Sequence, residues 1–149
     1  MGTPHTILVI ANETAEGDAL HDLIRRRAAI AATEVVVVAP ALNSRLRHWA
    51  SDEDGARNRA GERLERSLVR LEASGVGARG WIGDADPLLA IEDALGVLEA
   101  DELIVATHPE PRSNWLAHRL VERARETLAL PVTHVVVDPD AQREYLVAA

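Results

Sequence analysis

Asp101-Glu102-Leu103-Ile104-Val105-Ala106-Thr107-His108 is the stretch that decides how this chain folds. Two charged residues lead into four apolar ones, a hydroxyl and an imidazole follow, and Pro109 blocks simple continuation. An unbroken apolar run between polar bounds predicts a strand buried on both faces, and such strands belong to parallel sheets covered by helices. Ligands of open parallel α/β sheets bind beyond the carboxyl ends of the strands. Thr107 and His108 therefore stand at the end where function is expected.

Working outward, the same logic recurs on both sides. Downstream, residues 114–128 carry Leu116, Leu120, Val121, Ala124 and Leu128 at helical spacing, with Ser113 placed to cap. Pro131 stops that helix and residues 132–137 predict a fifth strand, closed by Asp138-Pro139-Asp140. Upstream, Asp86 before Pro87 predicts a helix start, because Pro lacks only an N–H that the first turn would leave unpaired. Leu88, Ile91, Leu95 and Leu98 form its apolar stripe. Residues 76–82 predict a third strand, and Gly77, Arg79 and Gly80 suit it to a sheet edge. Four consecutive valines, Val35 to Val38, mark the second strand within residues 34–39, ended by Pro40. Residues 6–11 predict the first strand. A helix over residues 15–32 follows it, striped by Leu20, Leu23, Ile24 and Ala28, with Gly17 weakening its first turn. Between residues 41 and 50 lies a linker with Arg45, Arg47, His48 and Trp49. Ser51 and Asp54 resemble a capping box for a helix reaching Ala73, which Gly75 ends.

Strands alternating with helices predict right-handed crossovers and a three-layer α/β sandwich in one domain, residues 1–149, with its core in 6–138 and a tail over 139–149. Within that tail, Tyr145-Leu146-Val147 is apolar enough to cover something.

Composition narrows the function. The chain holds 149 residues, 24 acidic against 16 basic, for a formal charge of -8, which argues against general nucleic-acid binding. It has no Cys, so disulfides and thiolate chemistry are excluded. No apolar run nears the ~20 residues of a membrane span. Nothing resembles a signal peptide, so the expected location is the cytoplasm.

Several motifs are missing. The sequence after the first strand, Ala11-Asn12-Glu13-Thr14, lacks the spaced glycines of a dinucleotide fold, and without any Lys there is no Walker loop. There is no His-Glu-x-x-His and no Gly-x-Ser-x-Gly. What remains is Thr107-His108-Pro109-Glu110-Pro111-Arg112-Ser113-Asn114-Trp115. Ser113 and Asn114 open a helix, where free N–H groups and the dipole favour an anion, and Arg112 adds a guanidinium fork. Capping alone also accounts for Ser113. Trp115 is expected to pack on the sheet rim, with base stacking as the other reading. Asn12 ends the first strand, where its amide either reads a base edge or ribose or forms a turn. His134, inside the fifth strand, is expected to be structural. Asp84 and Asp86 read as turn and cap before they read as a metal pair. No residue set combines a nucleophile, a base and an orienting group, so catalysis is not expected; His108 acting as a base beside Thr107 is the enzymatic alternative.

These local patterns resemble the universal stress protein superfamily. Gly83-Asp84-Ala85-Asp86-Pro87-Leu88-Leu89-Ala90-Ile91 is similar to its Gly-Asp-Pro-x-x-x-Ile turn, and Ala100-Asp101-Glu102-Leu103-Ile104-Val105 to its Ala-Asp-Leu-Ile-Val strand. Leu120-Val121-Glu122-Arg123-Ala124 before Pro131-Val132 resembles its last helix and strand. The resemblance implies a five-stranded parallel sheet of order 3-2-1-4-5, of the adenine nucleotide alpha hydrolase-like kind. It also implies a homodimer formed by pairing last strands, for which Val132, Val135, Val136 and Val137 supply an apolar edge. ATP-binding members carry an Asp where Asn12 stands, a contact near Val38, and Gly-x-x-Gly with a later Gly-Ser or Gly-Thr after the fourth strand. Here no Gly occurs from Val97 to Ala149, Thr107 or His108 takes the first glycine's place, and Pro109 and Pro111 fix φ and remove N–H donors. The expectation is thus a non-catalytic, homodimeric, universal-stress-like protein that binds a partner or small ligand. The alternative is a nucleotide-binding module for ATP, ADP or AMP with slow or no hydrolysis. In either case the candidate binding residues are Asn12, Val38, Thr107, His108, Arg112, Ser113 and Asn114.

Overall fold

Strands whose every residue is apolar form only where both faces are covered, and the chain meets that demand with helices on each side. In chain order the elements are β1 (His5–Ile10), α1 (Asp18–Ile30), β2 (Thr33–Pro40), α2 (Asp52–Ala73), β3 (Gly77–Gly83), α3 (Pro87–Leu95), β4 (Glu102–Thr107), α4 (Trp115–Thr127), β5 (Val132–Asp138) and β6 (Arg143–Val147). The computed structural model describes residues 4–11, 15, 17–40, 52–107, 115–138 and 143–147; in 52–60, 115–118, 138 and 143–147 it describes the backbone only.

The sheet order is β3-β2-β1-β4-β5-β6. The first five strands are parallel, as expected, and β3 lies at the edge where its glycines put it. Alternation divides the core in two. Ile7, Val9, Val35, Val37, Ile104 and Val135 meet α1 and α2 through Leu20, Ile24, Leu64 and Leu71. Leu8, Ile10, Val36, Val38, Leu103 and Val105 meet α3 and α4 through Ala90, Ile91, Leu120 and Ala124. The α3 stripe uses Pro87, Ala90, Ile91 and Ala94 as its buried residues, with Leu88 and Leu95 half-buried, because small residues let the helix sit close to β2.

Helix ends follow local chemistry. The Asp86 carboxylate accepts the Leu88 and Leu89 amides at 3.0 and 3.4 Å, with Pro87 inside the first turn. Gly75 closes α2 at φ 84°, while the Val76 amide reaches Leu71 O and the Gly75 amide reaches Glu72 O; this is the double-bonded left-handed cap. Helix α1 starts at Asp18, later than the predicted residue 15, since Gly17 stays extended as its N-cap. Strand β2 includes Pro40, paired with Gly83, because a strand's last residue can dispense with its amide.

The charged start of β4 is also explained. Glu102 is buried, and Arg27 Nε donates to both its oxygens at 3.0 and 3.4 Å. Asp101 Oδ2 accepts the Thr6 amide at 2.8 Å. These groups join β1, β4 and α1 at the amino end of the sheet.

The C-terminal residues differ from expectation. Part of the predicted tail, residues 143–147, forms β6, which runs antiparallel along β5. The edge of β5 expected to be open to a second copy is therefore occupied from His134 to Asp138. Tyr145, Leu146 and Val147 pair along the backbone with Val136, Val135 and His134. Among the described residues, no helix is long and apolar enough to cross a membrane.

Candidate functional site

The order 3-2-1-4-5 reverses between β1 and β4. From β1 the chain turns toward α1 and β2, while β4 leads toward β5, and in open parallel sheets such a reversal is where ligands bind. Ala11 follows β1 and is 2% exposed. Its amide donates to Val38 O at 3.2 Å, tying the end of β1 to β2. Val38 itself is fully buried, so its part in any site is to shape the floor rather than to touch a ligand with its side chain.

Thr107 ends β4 with its side chain on the α3/α4 face, in line with Leu103 and Val105. Its Oγ1 lies 2.7 Å from His134 Nε2. In the parallel register His134 stands beside Val105 and Val136 beside Thr107, so the imidazole reaches two residues forward to the carboxyl edge. A threonine hydroxyl has one proton and two lone pairs, and one bond to an imidazole leaves capacity for a ligand oxygen. The separation also lies within the range of a hydroxyl and its base. Sequence reading paired Thr107 with its neighbour His108 and read His134 as structural. The fold brings Thr107 to His134, which leaves the structural reading of His134 in place, while His108 lies outside the described residues. Only the strand register places residues 27 apart in contact, and no local pattern announces it.

Asn12, His108, Arg112, Ser113 and Asn114 lie outside the described residues, as do Arg45, Arg47 and His48. Trp115 begins α4, but its side chain is not among those described. Asp84 and Asp86 are engaged in the turn: Asp84 Oδ1 accepts the Asp86 amide at 2.9 Å and Asp86 caps α3. Among the described residues, no group of three or more His, Asp or Glu is placed to hold a metal.

A second buried polar group lies between α1 and α2. His21 on α1 is 1% exposed; its Nε2 lies 2.9 Å from Ala15 O and 3.2 Å from Ser67 Oγ on α2. Burial pushes its pKa below the ordinary 6.5, the bond to Ala15 opposes that, and the charges of Arg70 and Arg25 reinforce it against Asp18. His21 thereby ties α1 to Ala15 and to α2. Its neighbours come from helix packing, which the sequence does not display.

No family model matches the sequence, and no curated protein matches it. Solved structures do. A universal stress protein from Archaeoglobus fulgidus matches with a TM-score of 0.63 at 15% identity, over 87% of this chain and 92% of its own. A universal stress protein family member from Arabidopsis thaliana, solved with AMP bound, gives 0.61 at 14% identity, over 93% and 95%. A universal stress protein solved in complex with cAMP gives 0.54 at 17% identity, over 89% and 97%. The chain therefore has the fold of the universal stress proteins, along nearly the whole length of each.

Proposed function

We propose that this chain is a divergent member of the universal stress protein superfamily that binds an adenine nucleotide in the crevice between β1 and β4. The observation that carries this reading is the Thr107 hydroxyl, held by His134 at the carboxyl end of β4, at the point where the strand order reverses. Two proteins of the same fold were solved with AMP and with cAMP, which supports a nucleotide over another anion. Around Thr107 the site would draw on Asn12, His108, Arg112, Ser113 and Asn114, with Val38 shaping its floor.

A monophosphate suits this chain better than ATP. A polyphosphate needs many backbone N–H donors at close approach, which glycine permits and proline prevents. The chain has no Gly after Gly96, and Pro109 and Pro111 follow β4. One phosphate asks only for a helix N-terminus, a hydroxyl and a guanidinium.

The test is thermal unfolding with AMP, cAMP, ADP and ATP. A ligand at a hundred times its dissociation constant stabilises the folded state by ~2.7 kcal/mol. AMP or cAMP is expected to raise the midpoint saturably, ATP less so, and Thr107→Val and Arg112→Ala to reduce the rise. If no nucleotide shifts the midpoint, the nucleotide reading fails and the non-catalytic, partner-binding role takes its place.

A further inference from the structure

We propose that His134 is a positioning residue that selects the ligand by charge: with a proton on Nε2 it turns the Thr107 hydroxyl into a hydrogen-bond donor, so that the carboxyl end of β4 takes an oxyanion in preference to a neutral hydroxyl or amine. Given the nucleotide reading, on which this selection rests, the oxyanion is the phosphate of AMP or cAMP. Two histidines of the fold differ in what their Nε2 faces. His21 Nε2 lies 2.9 Å from the Ala15 carbonyl oxygen. A carbonyl oxygen only accepts, so that nitrogen carries a proton and the direction of the bond is fixed. His134 Nε2 instead faces a hydroxyl, Thr107 Oγ1, at 2.7 Å. A hydroxyl both donates and accepts, so this bond runs in either direction.

Direction decides what a ligand meets. With Nε2 protonated, the imidazole donates to Oγ1 and the Thr107 proton is left for an oxygen of the ligand. With Nε2 bare, Thr107 gives its proton to the ring and shows a ligand lone pairs alone, which repel a phosphate oxygen and suit an N–H or O–H. Thr107 is 7% exposed, so little water reaches it to make good a wrong pairing. The strands hold the pair in place. Thr107 is the last residue of β4, and His134 sits on β5, which lies between β4 and β6. An oxyanion at Thr107 therefore asks for a ring protonated on Nε2, and the imidazolium and one neutral tautomer both supply it. Binding of the oxyanion and placement of that proton are one coupled event. At His21, where the partner is a carbonyl, no such choice exists.

The experiment uses the full chain with isotopically labelled histidine. Nitrogen NMR of the imidazoles reads which ring nitrogen carries a proton, with AMP, inorganic phosphate or adenosine added. The AMP-bound and phosphate-bound states are expected to carry a proton on His134 Nε2, with His21 Nε2 protonated throughout as the internal reference. Calorimetric titration of variants adds a second readout. His134→Leu is expected to weaken AMP by about fivefold, the worth of an ordinary hydrogen bond, and to leave adenosine unchanged. His134→Gln, whose amide N–H donates to Oγ1, is expected to recover AMP affinity. AMP bound over a bare Nε2 overturns the proposal and leaves the nucleotide reading standing. So does unchanged AMP affinity in His134→Leu, or an equal loss of adenosine, which marks a merely structural role. Should His134→Leu not fold, the NMR of the unaltered chain decides alone. Phosphate bound with Nε2 protonated, in a chain that ignores AMP, upholds selection by charge while the nucleotide reading falls. A chain that binds neither AMP nor phosphate overturns both.

Discussion

His21 is an ionisable side chain sealed between two helices, and its protonation is coupled to folding. Its folded-state pKa lies below 6.5 because burial disfavours the imidazolium and Arg70 and Arg25 add to that, against Ala15 O and Asp18. As pH falls through the unfolded value of 6.5, the unfolded chain takes a proton that the folded chain refuses. The stability contributed by neutral His21 is thus complete above that value, declines as pH drops toward the lowered folded pKa, and changes no further below it. Urea unfolding at about pH 7.5 and about pH 5.5 is expected to show lower stability at the acid value, with His21→Gln flattening the difference. The variant is also expected to lose ~1–3 kcal/mol at the higher pH, since a buried donor to Ala15 is misplaced. An unchanged pH slope in His21→Gln would assign the acid sensitivity to other groups. Neither the contacts of His21 nor the Thr107–His134 contact was legible in the sequence. One depends on helix packing and the other on strand register, whereas Asp86 was legible because its partners are two and three residues away.

Among the elements, β3 shows where sequence reading reached the right place for an incomplete reason. Its glycines marked it as an edge strand, and it is one. Yet Gly80 also answers a close approach. A Cβ there would stand 2.2 Å from Val37 O and 3.0 Å from a Leu64 methyl, so β2 and α2 together exclude any side chain. Gly77, at the start of the same strand, has nothing within 4 Å of that position. Gly80→Ala is accordingly expected to cost ~1–3 kcal/mol through backbone displacement, and Gly77→Ala to be neutral or slightly stabilising by restricting the unfolded chain. Equilibrium denaturation of the pair checks this, and equal behaviour would show that β3 moves freely relative to β2. The strands β1, β2 and β4 were legible because burial on both faces leaves an apolar run that little else produces. Strand β6 was not: Arg143-Glu144-Tyr145-Leu146-Val147 is short and opens on two charged residues, and it is a strand because β5 offers it a ladder.

At the scale of the whole molecule the two ends of the sheet carry different polar groups. The amino end carries the Arg27–Glu102 pair, with His5 Nε2 3.6 Å from the same carboxylate, and it joins β1, β4 and α1. The carboxyl end carries Thr107 and His134, at the strand-order reversal. Glu102 is buried, so removing its cation leaves a desolvated carboxylate short of a hydrogen bond. Bonds to charged groups are worth ~1.5–3 kcal/mol, and the partial exposure of Arg27 places its loss toward the lower figure. Arg27→Met is therefore expected to lower the unfolding midpoint and to leave the nucleotide dissociation constant unchanged. Thr107→Val is expected to do the reverse in proportion, weakening nucleotide binding by more than its cost in stability explains. Calorimetric titration beside denaturation of both variants reads the two effects separately. Loss of nucleotide affinity in Arg27→Met, measured where the variant is fully folded, would show that the amino end of β4 governs the crevice through the length of the strand. The division of labour between the two ends would then give way to a single coupled β4.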